Sequence, residues 1–328
     1  MTNDCITNQN DIEFSPFGIN LFGQSIQQET NSKVCQAFIF PPFSVLNARD
    51  GAWQERKRAW LDLGIVGELG RDSDLLYGDK VDSIDFYRHK EGHCKNTDQS
   101  NTSVFDPTLC ELVYSWFSTV ADQVIDPFAG GCVRGVVASC LGRKYWGCDL
   151  SVKQIDANRI QASSIKSAST PIQWIGGDSL DKMQQSPDAD FLFSCPPYGN
   201  LEQYSEHPAD LSAMDHDLFF STYKKIISLS CARLKQDRFA CFVVGDYRCP
   251  KGYFRNFVGH TVSCFEESGV HLYNDAILVT PVASAAMRVT QQFEASRKFA
   301  KTHQNVLVFC KGDPKKATTR IDLKGGTQ

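Results

Sequence analysis

Val124-Ile-Asp-Pro-Phe-Ala-Gly-Gly-Cys-Val-Arg-Gly135 is the stretch on which the reading of this chain turns. A short apolar run ends in an acidic residue, bends at two glycines and continues into an apolar helical stretch near Val133. Glycine lets the backbone turn sharply and lets a ligand approach with no Cβ in the way. By itself such a turn also fits an ordinary βα loop. Two acidic residues further along the chain strengthen it. Asp149 closes the next strand-like run, Lys144-Tyr-Trp-Gly-Cys-Asp149, 23 positions after Asp126. An acidic residue about 20 positions on is where a nucleoside's ribose hydroxyls are held. Asp178, in Gly176-Gly-Asp-Ser179, closes the third run, Ile172-Gln-Trp-Ile175. Three carboxylates at successive strand ends share one rim of a parallel sheet, the rim at which open α/β sheets bind ligands.

Working outward, a fourth run, Asp190-Phe-Leu-Phe193, leads into Ser194-Cys-Pro-Pro-Tyr-Gly-Asn200. Two prolines make a stiff loop without N–H donors, so its carbonyls are free to accept from an exocyclic amine while Tyr198 stacks on a planar base. The plainer alternative is a rigid turn with Tyr198 packed inward. Later runs at Phe239–Val244, Ala276–Val279 and Asn305–Phe309 complete seven strands. Between them lie helices starting at Ser151 (with Gln154 at capping-box spacing), over 216–234 and over Phe254–Glu267. Strands alternating with helices predict a mostly parallel sheet covered by helices, ending in an antiparallel pair after the final helix.

The 328 residues are 42% hydrophobic and 22% charged, with 34 basic against 38 acidic side chains and a net charge of −4. That composition excludes a disordered chain and a wholly basic nucleic-acid binder, though not a local basic surface. No apolar run approaches the ~20 residues of a membrane span, and Met1-Thr-Asn-Asp-Cys5 lacks a secretory pattern. The 13 cysteines are scattered without a CxxC pair, several inside apolar runs. They read as small reduced core residues of a cytoplasmic protein rather than a metal or disulfide framework.

Asp126-Pro-Phe-Ala-Gly-Gly131 and Ser194-Cys-Pro-Pro-Tyr198 resemble the cofactor and catalytic motifs of the DNA amino-methyltransferases, the N6-adenine/N4-cytosine family of phages and bacteria. Ser103-Val-Phe-Asp-Pro-Thr-Leu-Cys-Glu-Leu-Val-Tyr114 is similar to the family segment that closes over the methionine end of the cofactor. The resemblance spans about 103–312 and implies a Rossmann-like methyltransferase fold with an irregular N-terminal region. It implies S-adenosyl-L-methionine (AdoMet) as cofactor, S-adenosyl-L-homocysteine as product and no metal. Phe105, Asp106, Asp126, Pro127, Phe128, Ala129, Gly130, Gly131, Asp149, Leu150, Asp178 and Ser179 would form the cofactor site. Ser194, Cys195, Pro196, Pro197 and Tyr198 would hold the target amine for direct displacement, in DNA of a bacterial or phage-infected cell. A restriction partner is left open.

Two positions depart from the family pattern. Cys132 stands where the second glycine of FxGxG is usual, and Cys195 stands where Asp, Asn or Ser accepts from the amine. A thiol is a weak acceptor. Ser194 could substitute, or the Pro196 carbonyl could orient the amine. Other readings make Cys195 a nucleophile for cytosine C5 methylation, move the substrate to RNA or a protein glutamine, or leave a non-catalytic DNA-binding protein on this fold.

Basic clusters at Arg56-Lys57-Arg58, flanked by Trp53 and Trp60, at Arg297-Lys298 with Lys301, and at Lys315-Lys316 with Arg320 are the candidate DNA contacts. An amphipathic helix with a solvated face explains the first cluster equally well. The chain divides on this reading into an accessory DNA-recognition region (1–102), a methyltransferase domain (103–312) and a basic tail (313–328). The loop Gly199–Met214, with Tyr204 and His207, and the stretch 282–302 are further candidates for target recognition. Removal of residues 1–102 is expected to abolish DNA binding and spare AdoMet binding.

Overall fold

Near-continuous burial along its central strands gives this chain a sheet with two covered faces. The computed structural model describes residues 17–19, 25–27, 38–65, 105–198, 207–282 and 285–321. Two short strands, β1 (Phe17–Ile19) and β2 (Ser25–Gln27), pair antiparallel with each other. The main sheet contains β3 (Val45–Asn47), β4 (Gln123–Asp126), β5 (Lys144–Asp149), β6 (Ile172–Gly176), β7 (Ala189–Ser194), β8 (Leu234–Val244), β9 (His271–Val279) and β10 (His303–Lys311). Their order is β3-β9-β10-β8-β7-β4-β5-β6. β10 pairs antiparallel with β8 and β9, and the remaining pairings are parallel. This is a Rossmann-like α/β fold, a mostly parallel sheet with one antiparallel strand inserted near one edge.

Nine helices are described: α1 (Gly51–Asp62), α2 (Pro107–Phe117), α3 (Val133–Cys140), α4 (Val152–Ser164), α5 (Ser179–Lys182), α6 (His216–Arg233), α7 (Phe257–Glu267), α8 (Ala285–Ser296) and α9 (Pro314–Thr319). Among the described residues no helix is long and apolar enough to cross a membrane. Successive strand residues point to opposite faces, so Phe191 and Phe193 join a core with Leu109, Val113, Val136 and Trp174. Leu192 between them joins the opposite core with Phe219, Tyr223, Phe257 and Phe265. Helices begin where side chains satisfy their first N–H groups. Asp106 caps α2 ahead of Pro107, Ser151 caps α4 through the Gln154 N–H, and Asp215 caps α6.

The structure adds to the expectation at four points. The sheet has eight strands rather than seven, because β3 adds to the outer edge of β9; with three residues and only Leu46 buried, it has too short a pattern to read. The antiparallel pair is interrupted by α8, and β10 is inserted between β8 and β9. The boundary near residue 102 does not separate two cores, since β3 lies in the main sheet and Trp53 of α1 is 1% exposed within the same core as α2 and α3. Likewise the described part of the basic tail is not free: α9 buries Ala317, and Arg320 bonds Asp122 at 2.8 Å.

Candidate functional site

The chain order fixes where the site lies. From β4 the strands step outward through β5 to β6, and the chain then returns to place β7 on the other side of β4. The direction of winding therefore reverses between β4 and β7, the switch point at which open sheets leave a crevice. The glycine turn leaves β4 on one side of this crevice and Ser194-Cys-Pro-Pro-Tyr198 leaves β7 on the other.

At the centre is Asp126, with no exposed surface. Its Oδ2 accepts from Arg134 Nε at 2.6 Å and from Tyr145 Oη at 2.7 Å, while Oδ1 accepts from Ser194 Oγ at 2.5 Å and Phe128 N at 3.1 Å. Arg134 donates further to the Phe128 and Ala129 carbonyls and lies over the Phe105 ring, 4.7 Å from its centroid. Burial works against the Arg134 charge, but the Asp126 carboxylate outweighs it and raises the guanidinium's pKa. Both Asp126 oxygens are thus spent inside the protein, and this carboxylate is not on the open rim. Ser194 gives its hydroxyl proton to Asp126 and has no exposed surface, so burial keeps it from standing in for Cys195 at the crevice.

Asp149 and Asp178 do lie at the rim. Asp149 accepts from Gly130 N at 2.9 Å with Oδ2 and from Ser151 N at 2.9 Å with Oδ1, which ties the end of β5 to the glycine turn. Leu150 comes next in the chain, half-buried. Asp178 uses Oδ1 to accept from Leu180 N at 2.9 Å, and its second oxygen accepts no hydrogen bond among the described residues. Ser179 donates to the Pro127 carbonyl at 2.6 Å and so docks the third strand's turn on the first. Gly130 has φ +51°, and a Cβ built there meets nothing within 4 Å. The turn therefore opens onto free space, as a cradle for a ligand requires. Gly135 serves closer packing, since its Cβ would come within 2.8 Å of Trp174.

Cys132, the departure from the glycine pattern, is 2% exposed, and its thiol bonds Gln161 behind the turn. Burial pushes that thiol up to about 12, so it remains protonated near neutrality. The turn accepts a side chain here because α4 provides a partner away from the open side. Gln154, Asn158 and Gln161 form a buried polar stripe on α4, and Asn158 Nδ2 holds the Gly130 carbonyl at 2.8 Å. Sequence reasoning missed this support, because a polar stripe at helical spacing reads as a solvated face. Arg134 and Tyr145 were missed too, each hidden in an otherwise apolar run.

On the other side of the crevice, Pro196 is buried while Cys195, Pro197 and Tyr198 are half-buried. Cys195 Sγ lies 3.8 Å from Tyr198 Oη, which accepts from Gln304 Nε2 at 2.6 Å. The Tyr198 ring meets Phe257 edge-on at 6.1 Å. The aromatic ring is therefore held in place by β10 and α7. Gly199, Asn200 and Tyr204 lie outside the described residues, as do Ser103 and Val104.

Phe105 packs against Phe193, and Asp106 caps α2 through Thr108 N and Leu109 N. Asp106 also accepts from Trp53 Nε1 at 3.2 Å and pairs with Lys57 at 3.4 Å. Arg56 pairs with Glu111, which also accepts from Trp60 Nε1 at 2.7 Å. Trp53, Arg56 and Lys57 thus fasten α1 to α2 through Asp106 and Glu111. Arg58 alone of that cluster is exposed. Among the described residues no three His, Cys, Asp or Glu side chains converge as ligands of one metal ion.

No protein-family model and no curated protein matches the sequence. Solved structures do match in shape. TrmN from Thermus thermophilus shares 15% identity at a TM-score of 0.43 over 63% of this chain and 49% of its own. This chain thus spans about half the length of that protein. A methyltransferase from Pyrococcus furiosus shares 10% identity at a TM-score of 0.42, over 72% of this chain and all of its own. The magnesium protoporphyrin IX methyltransferase of Synechocystis, solved with bound SAM, shares 11% at 0.41, over 71% of this chain and 94% of its own. Likenesses at this level carry no statement about substrate.

Proposed function

We propose that this chain transfers a methyl group from AdoMet to the exocyclic amine of a base in DNA, N6 of adenine or N4 of cytosine. One observation carries the reading. The open turn at Gly130 and the Cys195-Pro-Pro-Tyr198 loop face each other across the switch point of the sheet.

The residues present fit a nucleoside cofactor. Gly130 leaves space at the turn, Asp178 has an oxygen to offer and Asp149 sits at the neighbouring strand end. Asp149 and Asp178, with Leu150, would hold the nucleoside half, and Phe105 and Gly131 would border the remainder. When bound, AdoMet supplies a methyl group on a positively charged sulfur. The chain's own task is to position the amine and exclude water, which lowers the barrier without a covalent enzyme intermediate. A duplex base must leave its stack to reach such a pocket, at a cost of a few kcal/mol. Tyr198, fixed at its hydroxyl by Gln304, would stack on that base. With Ser194 buried beneath the loop, the Pro196 carbonyl would orient the amine, assisted by the weaker Cys195 thiol.

Incubating the full chain with DNA and methyl-labelled AdoMet, then digesting to nucleosides, tests this directly. Label in N6-methyladenine or N4-methylcytosine is expected. Label in 5-methylcytosine would replace direct displacement with attack by Cys195, and failure to bind AdoMet under reducing conditions would remove the enzymatic reading.

A further inference from the structure

Sequence alone offers the basic clusters near Arg56 and near Arg297 as equals, and folding separates them. The first is consumed by carboxylates: Arg56 by Glu111 and Lys57 by Asp106. The second joins the loop 245–256 after β8. Together, residues 245–256 and 285–304 hold seven Arg or Lys against two acidic residues, in a chain whose net charge is −4. Among the described residues, Arg248, Lys251, Arg255, Arg297, Lys298 and Lys301 form no ion pair.

Aromatic rings stand exposed among these cations. Tyr253 is 73%, Phe254 50%, Phe293 38% and Phe299 77% exposed. Arg248 lies 3.9 Å over the Phe254 ring, Arg297 lies 5.2 Å over Phe293, and Phe293 stacks on Phe299 at 5.7 Å. Helix α8 has no buried residue, so it adds little to the core that would explain its apolar side chains. Between loop and helix runs a groove of about 440 Å³, lined by Arg248, Gln291, Gln292, Lys298 and Phe299 among others. It lies on the site's side of the sheet: β10 is antiparallel, so its first residues meet the ends of the parallel strands, and Gln304 there bonds Tyr198.

Cations without carboxylate partners next to exposed rings suit a polyanion with planar bases, where phosphates take the charges and unstacked bases take the rings. A nucleic-acid strand repeats a phosphate and a planar base at every residue, which matches cations interleaved with exposed rings. We infer that loop 248–255 and α8 with residues 297–301 form the surface that grips a single DNA strand beside the target base. The role given to that strand rests on the methyl-transfer reading above; the surface itself does not.

The test is fluorescence anisotropy of labelled single-stranded DNA with the full chain, over a range of salt, alongside calorimetric titration of AdoMet. Phe299→Ala should weaken DNA binding by about tenfold, since stacking is worth ~1–3 kcal/mol per base and 1.4 kcal/mol is tenfold. Arg297→Gln with Lys298→Gln should weaken it and reduce the slope of log K against log salt by roughly 1.4. Arg58→Gln should leave it unchanged, and all these variants should keep the parent's AdoMet affinity and thermal midpoint. If the parent binds AdoMet while DNA affinity is the same in every variant, or falls equally in Arg58→Gln, the surface assignment is overturned and the methyl-transfer reading stands. If AdoMet is not bound but the surface variants still lose DNA, the assignment survives that reading. Binding of an RNA strand with none of DNA overturns the choice of partner.

Discussion

Asp126 and Gly130 sit four residues apart in one turn and have opposite tasks. Asp126 carries a buried charge that is tolerated because Arg134 neutralises it and Tyr145 and Ser194 complete its hydrogen bonds. Through Ser194 the same carboxylate fastens the loop after β7 to the turn after β4, so both sides of the crevice share one anchor. Gly130 has little to do with packing. Its positive φ makes alanine costly by about 1–2 kcal/mol, a thermal shift of a few degrees in a domain of this size. The added methyl points into space that a ligand would need. Gly130→Ala should therefore lower AdoMet affinity by more than tenfold, measured by calorimetry, with only that modest loss of thermal midpoint. Unchanged affinity in a destabilised variant would reduce Gly130 to a turn residue. The spacing of Asp126, Gly130 and Asp149 is plain in the sequence. The distinction between an enclosed carboxylate and one on the rim is not, because it depends on Arg134, Tyr145 and Ser194 all turning toward the same point.

Helix α1 shows how composition leaves an element's role open. Its aromatic and basic residues read as a nucleic-acid contact, yet Glu111 and Asp106 on and before α2 collect Arg56, Trp60, Trp53 and Lys57. The helix is a fastener for the segment that caps α2 and carries Phe105. Trp53→Ala should destabilise the chain by about 3–5 kcal/mol, as for other buried Trp truncations, and a urea titration would measure it. A loss below about 1 kcal/mol would mean that α1 is peripheral after all. Removal of residues 1–102 is accordingly expected to damage stability before it affects DNA binding, since it strips β3 from β9 and uncovers the core around Trp53. Elements with a sustained period were legible: β5 matches its expected span, and α6 matches to within a residue. β3 and α8 were not, one too short to show a period and the other with no buried face.

Across the whole molecule, the rim away from the site is held by charge. Asp190 near the start of β7 accepts from Gln123 N at 3.2 Å, Lys235 at 2.9 Å and Arg238 at 3.1 Å, and Arg320 of the C-terminal segment lies 3.5 Å away. Burial raises the Asp190 pKa, but the bonds from Lys235, Gln123 and Arg238 together outweigh it and hold the carboxyl below its usual 3.8. A depressed carboxylate stabilises the fold above its unfolded value, and that contribution disappears as pH falls below about 4. Asp190→Asn should cost about 1–3 kcal/mol at pH 7 and less as the pH falls below about 4, read from urea midpoints at pH 7 and pH 2. Equal losses at both would assign Asp190 a purely steric role. Periodicity and local chemistry within a few residues encode the seven longer strands of the main sheet, the Ser151 cap and the glycine turn. Tertiary structure decided what the charged and polar groups do. Ser194 meets Asp126 across 68 residues and Arg56 meets Glu111 across 55. Whether a cation is spent or available depends on the carboxylate that packing brings beside it, and spacing along the chain carries no trace of that neighbour.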